Sequence, residues 1–245
     1  MKTSHFFITG SSRGIGRALV EHALAQPATY VYGFARSEER LIHERYQHTT
    51  INLSKIDELI TRLGDIFPAL DTAERIVLIN NAGTLGEIKY LGDIDDQSIA
   101  ALFNLNVTAP SVLMNAFLRR YRDTQAQKVI VNVSSGAGKY PVDGWSGYCA
   151  SKAALDMMSQ AAALEQKIRG ASQVYIYALA PGVVDTPMQG QIRATDAANF
   201  SKLDKFVDYK TNEALDDPRT TAEKFFQLID HPQQFEEVLQ DVRQF

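Results

Sequence analysis

Tyr148 and Lys152 lie four positions apart in the run Tyr148-Cys149-Ala150-Ser151-Lys152, so on a helix a phenol and an ammonium share one face. A phenol can act as general acid toward a carbonyl oxygen, but its ordinary pKa of about 10 is high for work near neutrality. A neighbouring cation lowers it: a drop of about 2 to 3 units is roughly 3 to 4 kcal/mol in favour of the phenolate. Tyr-x-x-x-Lys pairs also arise by chance on helix surfaces, so the meaning of this one depends on its company.

A second constellation is the turn Thr9-Gly10-Ser11-Ser12-Arg13-Gly14-Ile15-Gly16, where an apolar run meets a helical pattern. Glycine lets backbone turn sharply and approach a pyrophosphate closely, and the following helix start offers free N–H groups to the anion. The spacing Gly-x-x-x-Gly-x-Gly differs from the Gly-x-Gly-x-x-Gly fingerprint. About twenty residues further on, a dinucleotide fold places an acid for the ribose of NAD or an arginine for the 2′-phosphate of NADP. The chain has Ala35-Arg36-Ser37 there, and Arg13 can approach the same phosphate from the glycine turn. Arg36 could also be an ordinary solvated charge, with Glu38 or Glu39 holding a ribose diol. Ser37-Glu38-Glu39-Arg40 reads rather as a capped helix start, so the expected cofactor is NADP(H).

These residues need strands to carry them. Runs of strand composition occur at His5–Thr9, Tyr30–Ala35, Thr49–Leu53, Ile76–Ile79, Lys128–Val133 and Val174–Leu179, with amphipathic stretches between. Six strands are expected in an α/β fold, a doubly wound parallel sheet with helices on both faces. Ile15, Leu19, Val20, Ala23 and Leu24 fall at helical spacing, as do Ile99, Leu102, Phe103, Val107, Leu113 and Phe117. Asp96 is the expected N-cap of that second helix, which Pro110 should kink. Tyr148 to Ile168 is a further long helix, and Thr221 to Ile229 a shorter one. The pattern weakens between residues 187 and 217, the expected substrate lid of a single domain spanning 1–245; Phe235 to Val242 reads equally as edge strand or helix.

The chain has 245 residues, 45% of them hydrophobic, and 25 Lys and Arg stand against 29 Asp and Glu for a formal charge of -4. That supports one sizeable core and speaks against nucleic acid, which would need a basic field. Cys149 is the single cysteine, so an intramolecular disulfide is excluded, and the five scattered histidines suggest no metal site. Gly10 and Arg13 break the first apolar run too early for a signal segment or a membrane span. The expectation is a cytoplasmic protein without membrane or nucleic-acid partners.

The decisive signal is order. The glycine turn is followed by Asn80-Asn81-Ala82-Gly83 after the fourth strand, Asn106 in the next helix and Ser134-Ser135 after the fifth strand. Tyr148 and Lys152 come next, and then Pro181-Gly182-Val183-Val184-Asp185-Thr186 after the sixth strand. All sit at the sheet edge where doubly wound folds bind ligands. This ordered set closely resembles the short-chain dehydrogenase/reductase family over nearly the whole chain.

The resemblance implies roles. Ser135, thirteen residues before Tyr148, would hydrogen-bond the substrate carbonyl oxygen, with Ser134 structural. Tyr148 would be the acid, Lys152 would lower its pKa and hold the nicotinamide ribose, and Asn106 would position a relay water. Gly10, Ser12, Arg13, Gly14, Ile15, Gly16, Arg36, Asn81, Ala82 and Gly83 would bind the adenosine and pyrophosphate half. Pro181, Gly182, Val184 and Thr186 would meet the nicotinamide. Asn52 stands where many members carry an adenine-binding aspartate, and it still offers an acceptor oxygen. Members usually pair into homodimers through the two long helices.

Within the family the chain resembles the sepiapterin reductase and bacterial benzil reductase group, on Gly144-Trp145 before Tyr148-Cys149, Asp156-Met157 after Lys152-Ala153-Ala154, and Asp185-Thr186-Pro187-Met188-Gln189. That implies NADPH-dependent reduction of a ketone beside another carbonyl or an aromatic system. Tyr140, Trp145 and Met188 could line an apolar substrate slot or merely pack a lid or interface, and Asp241 is the candidate carboxylate for a pterin, in surroundings that match loosely. Oxidation of an alcohol by NADP is the alternative direction. A non-catalytic NADP-binding regulator is a third reading, against which the intact Asn106, Ser135, Tyr148 and Lys152 speak. Cys149 has no histidine partner in sequence and reads as a small packed thiol.

Overall fold

The structure is a computed structural model that describes residues 3–38 and 41–245. Seven parallel strands form one sheet: β1 (Thr3–Thr9), β2 (Thr29–Ala35), β3 (Tyr46–Thr50), β4 (Ala73–Asn80), β5 (Gln127–Val133), β6 (Val174–Ala180) and β7 (Leu239–Asp241). Their spatial order is β3-β2-β1-β4-β5-β6-β7, so the direction of winding reverses between β1 and β4. A crevice opens at the carboxyl ends of the strands at such a reversal, and both Gly10 and Asn81 lie there.

The helices are α1 (Gly14–Ala25), α2 (Ile56–Thr61), α3 (Leu63–Ile66), α4 (Asp96–Phe103), α5 (Ala109–Arg120), α6 (Ser146–Ile168), α7 (Pro187–Arg193), α8 (Leu203–Thr211) and α9 (Pro218–Asp230). Strand alternation sorts the core into two layers. Phe6 and Ile8 of β1 join Val77, Val131 and Leu179 under α1 and α9, while Phe7 joins Leu78, Ile130 and Ile176 against Leu113 and Phe117 of α5. A third cluster, including Leu102, Trp145, Tyr148, Ile192 and Phe200, sits beyond the sheet edge.

Several expectations change. A seventh strand exists because Leu239–Asp241 pairs with β6 at Ala178–Ala180, which resolves the ambiguous Phe235–Val242 segment. The third strand runs over Tyr46–Thr50 rather than Thr49–Leu53, because Asn52 Oδ1 accepts bonds from Ser54 N and Oγ at 3.2 and 2.8 Å and turns the chain. The helix start expected at Ser37 is absent from the described residues between β2 and β3; instead His48 Nε2 meets the Ser37 carbonyl at 3.0 Å and ties the connection back. Glu39 and Arg40 lie outside the described residues. The N-cap of α4 is Asp95, accepting from Ser98 N at 2.9 Å, not Asp96. Pro110 does not kink a continuous helix: a π-helical turn, Asn104–Thr108, intervenes, and Pro110 opens α5, where it needs no N–H.

The stretch Asp96–Arg120 is, among the described residues, the one segment long and apolar enough to cross a membrane by length and composition. Its Leu113, Met114, Ala116 and Phe117 are packed in the core. The segment expected to be irregular after Thr186 is largely helical, forming α7 and α8.

Candidate active site

The glycine turn has little room for side chains. Gly10 and Gly14 adopt φ of +66° and +56°, and a Cβ on Gly16 would lie 2.1 Å from the Gly10 carbonyl oxygen. Asn81 braces the turn from β4, its Nδ2 donating to the carbonyls of Thr9 and Gly10 at 2.9 and 3.2 Å. Thr9 Oγ1 in turn accepts from the N–H groups of Asn81 and Ala82 at 3.0 and 2.9 Å. Arg13, at the N-cap of α1, makes no side-chain cap, so the helix start is open to an incoming anion.

From this turn a cleft of about 850 Å³ runs along the strand ends to Tyr148. Gly10, Ser12, Arg13, Gly14 and Ile15 line it, with exposed Arg36 at the end of β2 and Asn52 and Leu53 after β3. Asn81, Ala82 and Gly83 form its floor, followed by Tyr148, Lys152, Pro181, Thr186 and Met188. The bare glycine backbone and the open helix start fit the pyrophosphate of a dinucleotide, with two arginines beside the cleft. Phe34, Leu105 and Gln191 also line the cleft. Composition does not mark the first two, but Gln191 lies one helical turn from Met188, a signal available in sequence.

Other expected site residues stand back from the cleft walls. Gly16 is interior to the turn, and Val184 is buried, bridging to Asp216. Gly182 turns the chain with φ +76°. Asn106, buried in the π-helical turn, has its side chain fully engaged: Oδ1 accepts from Thr84 N at 2.9 Å, and Nδ2 donates to Thr84 O at 2.8 Å and Ser151 Oγ at 3.1 Å. Asn106 therefore holds Thr84 and the end of the Asn80–Gly83 segment through its side chain.

Tyr148 and Lys152 come together on the first two turns of α6, both buried. Lys152 Nζ lies 5.7 Å from the centre of the Tyr148 ring and donates to the Val133 carbonyl at 2.7 Å. Burial pulls Lys152 down to about 8, against the opposing charge of Asp156. Tyr148 moves the other way from the sequence expectation: burial pushes it up to about 12, opposed by a hydrogen bond with the Ser135 hydroxyl. Ser135 caps a short 3₁₀ turn, accepting from Ala137 N at 3.2 Å, and this turns its hydroxyl toward Tyr148. Ser134 faces inward instead, donating to the buried carboxylate of Asp156.

The far end of the site is aromatic. Trp145 is 7% exposed, stacks on Phe200 at 5.1 Å and meets Tyr148 edge to face at 5.7 Å. Tyr140 is exposed, and neither it nor Trp145 lines the cleft. Asp241 is not open to a ligand in this arrangement, because Arg243 Nε donates to its Oδ1 at 2.8 Å and holds its pKa below the usual carboxylate value. Pro187, Met188 and Gln191 of the 187–217 stretch line the cleft, and the stretch is tied down by Gln191 Nε2 to Gly86 O at 2.9 Å and by Asp143, whose carboxylate accepts from Ser201 N at 2.7 Å and Oγ at 2.9 Å. Among the described residues no cluster of three or more His, Cys, Asp or Glu could hold a metal.

Comparison with known proteins places this geometry. Residues 4–197 match the short chain dehydrogenase family. Benzil reductase ((S)-benzoin forming) of Bacillus cereus is 33% identical over 234 residues, covering 92% of this chain and 94% of the relative. Sepiapterin reductase of Mus musculus is 32% identical over 243 residues, covering 91% and 90%. The crystal structure of a short chain dehydrogenase/reductase from Saccharomyces cerevisiae superposes with a TM-score of 0.84 at 27% identity, over 98% of this chain and 96% of that one.

Proposed function

The chain belongs to the short chain dehydrogenase family, a family of nicotinamide-dependent oxidoreductases, and from that premise we propose that it is an NADPH-dependent carbonyl reductase acting on a ketone beside a second carbonyl or an aryl group. The observation that carries this reading is the Tyr148 phenol at the end of the cleft, hydrogen-bonded by Ser135 and backed by Lys152. Burial holds this phenol up at about 12, so its work as an acid near neutrality depends on the opposing pull of Ser135 and on the cationic Lys152 beside it.

When bound, the reduced nicotinamide supplies the hydride. Arg13 and Arg36 hold the adenosine phosphate by charge-assisted hydrogen bonds, and the α1 N-terminus takes the pyrophosphate. Pro181 and Thr186, which line the cleft, would shape the seat of the carboxamide, with Gly182 and Val184 holding the turn behind them. Ser135 orients the substrate carbonyl oxygen and Tyr148 delivers its proton there. Lys152, at about 8, gains and loses a proton close to neutral pH and can recharge Tyr148. Asn106 acts on that relay from behind, its side chain committed to Thr84 and Ser151 and so fixing the chain after Gly83 and the turn of α6 that carries Tyr148 and Lys152.

Met188 lines the substrate end, Trp145 is packed behind Tyr148, and exposed Tyr140 would join them when the 187–217 lid meets substrate. Their aromatic, apolar character and the pairing of Asp241 with Arg243 favour an aryl or vicinal diketone over a pterin, whose amines would want a free carboxylate. The test is NADPH consumption by purified protein against vicinal diketones, aryl ketones and sepiapterin. Turnover of the diketones is expected; tight NADPH binding with no carbonyl compound reduced would overturn the reading.

The same family reading includes a homodimer formed through the long helices. The outer face of α6 supports it: Met157, Leu164 and Ile168 are 65%, 58% and 77% exposed at spacings of seven and four.

A further inference from the structure

One turn beyond Lys152 on the same face of α6 is a carboxylate that the reaction described above does not use. Asp156 is buried, accepts a short hydrogen bond from Ser134 Oγ, and its Oδ2 lies 3.0 Å from where a Cβ on Gly138 would stand. Ser134 and Gly138 bracket the loop that carries Ser135, so Asp156 ties one end of that loop to α6 through Ser134 and packs closely against the other at Gly138. Absence of a side chain at Gly138 is what lets the carboxylate come so close. Lys152 gives its hydrogen bond to the Val133 carbonyl, one residue before Ser134, so the acid and the ammonium are neighbours across a single short segment.

We propose that Asp156 is a positioning residue for the reduction: it fixes the Ser135 loop through its bond from Ser134, packed against Gly138, and sets its negative charge one helical turn from the buried Lys152 ammonium. Burial raises Asp156 above the usual carboxylate value, while Ser134, Lys152 and Lys139 act to keep it ionised. Those groups complete the local charge set: Tyr148 on α6 beside Lys152, Lys139 on the loop facing Asp156, and Asp241 of β7 facing Lys139 in turn. Without the carboxylate, Lys152 would face burial unopposed and lose its proton at lower pH.

The inference rests on the carbonyl reductase reading for its kinetic consequence, but half of its test needs no turnover. In Asp156→Asn, Lys152 titration followed by 15N NMR of the lysine side chains in the NADP-saturated protein should move down by about one pH unit, and the alkaline limb of the kcat profile should move with it. Ser134→Ala leaves the charge in place; it should lower kcat at least fivefold with the KM for NADPH and the alkaline limb unchanged. If Asp156→Asn does not fold, the unaltered protein still decides the charge effect, because protonation of Asp156 at acid pH must produce a second inflection in the Lys152 signal. An unshifted Lys152 titration, or a single-step Lys152 curve in the unaltered protein, overturns the electrostatic role. Wild-type kcat in Ser134→Ala overturns the positioning role. Absence of turnover with an intact Lys152 shift would instead sink the reductase reading and leave this one standing.

Discussion

Tyr148 and Lys152, one turn apart on α6, are driven in opposite directions by the same burial: the phenol up to about 12 and the ammonium down to about 8. Desolvation disfavours whichever form is charged, so both groups are pushed toward neutrality. At pH 7, about one unit below the lysine midpoint, the phenol therefore keeps its proton and the ammonium is still largely protonated. That arrangement is asymmetric toward proton donation.

Tyr148→Phe removes the donor and leaves the ring in its place against Trp145. Because the hydroxyl acts mainly in the transition state, kcat for ketone reduction should fall by about 10² to 10⁴ or more while NADPH affinity stays within about twofold. Steady-state kinetics and a fluorescence titration of NADPH measure the two. Retention of most activity would remove Tyr148 from the mechanism.

Lys152→Met should lose activity and gain stability. The lysine pKa falls from its ordinary 10.5 to about 8 on folding, so below pH 8 the folded state carries a penalty of roughly 3 kcal/mol, and part of it returns when an apolar chain of similar length replaces the ammonium. Loss of the bond to the Val133 carbonyl offsets some of that gain, leaving about 1 to 2 kcal/mol. The unfolded chain binds more protons than the folded one between pH 8 and 10.5, so wild-type stability from this group rises across that window. Consequently the advantage of the variant should shrink as pH increases from 8 to 10.5. Denaturant melts at pH 7 and pH 10 check both the sign and the trend; equal differences at the two values would show that Lys152 is not the group responsible.

These relations show what sequence could and could not carry. Gly10, Tyr148 and Lys152 stand out in the sequence because glycine at a strand end and a phenol one helical turn from an ammonium each have a chemical reason, whereas Asn81, Asn106 and Ser135 stand out only through their order along the chain and the family it resembles. The upward shift of Tyr148 was not, because spacing reveals proximity to a cation and says nothing of desolvation, which here prevails. The π-helical turn around Asn106 was misread as a kink at Pro110, since proline announces an irregularity without saying on which side the extra residue is accommodated. Strand β7 is three residues long and takes its stability from pairing with Ala178–Ala180, a tertiary contact invisible to periodicity. Asp241 shows the same limit: a carboxylate in the expected region, claimed by Arg243 two residues later.

Cofactor choice turns on Arg36, exposed at the end of β2 on the wall of the cleft. A guanidinium forked onto a phosphate is worth about 1.5 to 3 kcal/mol, so Arg36→Ala should weaken NADPH by about tenfold to a hundredfold. NADH lacks the 2′-phosphate and should change by less than about threefold. Isothermal titrations with the two cofactors, repeated at high salt to screen the charge, give the comparison. Equal losses would mean that Arg36 does not read the phosphate.

The last prediction concerns the exposed apolar edge of α6. Met157, Leu164 and Ile168 point away from the sheet, whereas Leu155 and Ser159 on the opposite side are buried in it. An uncovered stripe of this kind on a long helix buries well against its own copy, because a two-fold axis matches the same residues to one another and needs no second complementary surface. Leu164→Glu would set two carboxylates against each other across that axis, with little consequence for a monomer in which the position is more than half exposed. The wild-type protein should sediment as a dimer at micromolar concentration and the variant as a monomer, with the melting temperature of the variant falling by several degrees and becoming independent of protein concentration. A variant that still sediments as a dimer would place the interface elsewhere, and a wild-type monomer would leave the stripe without a partner of its own kind.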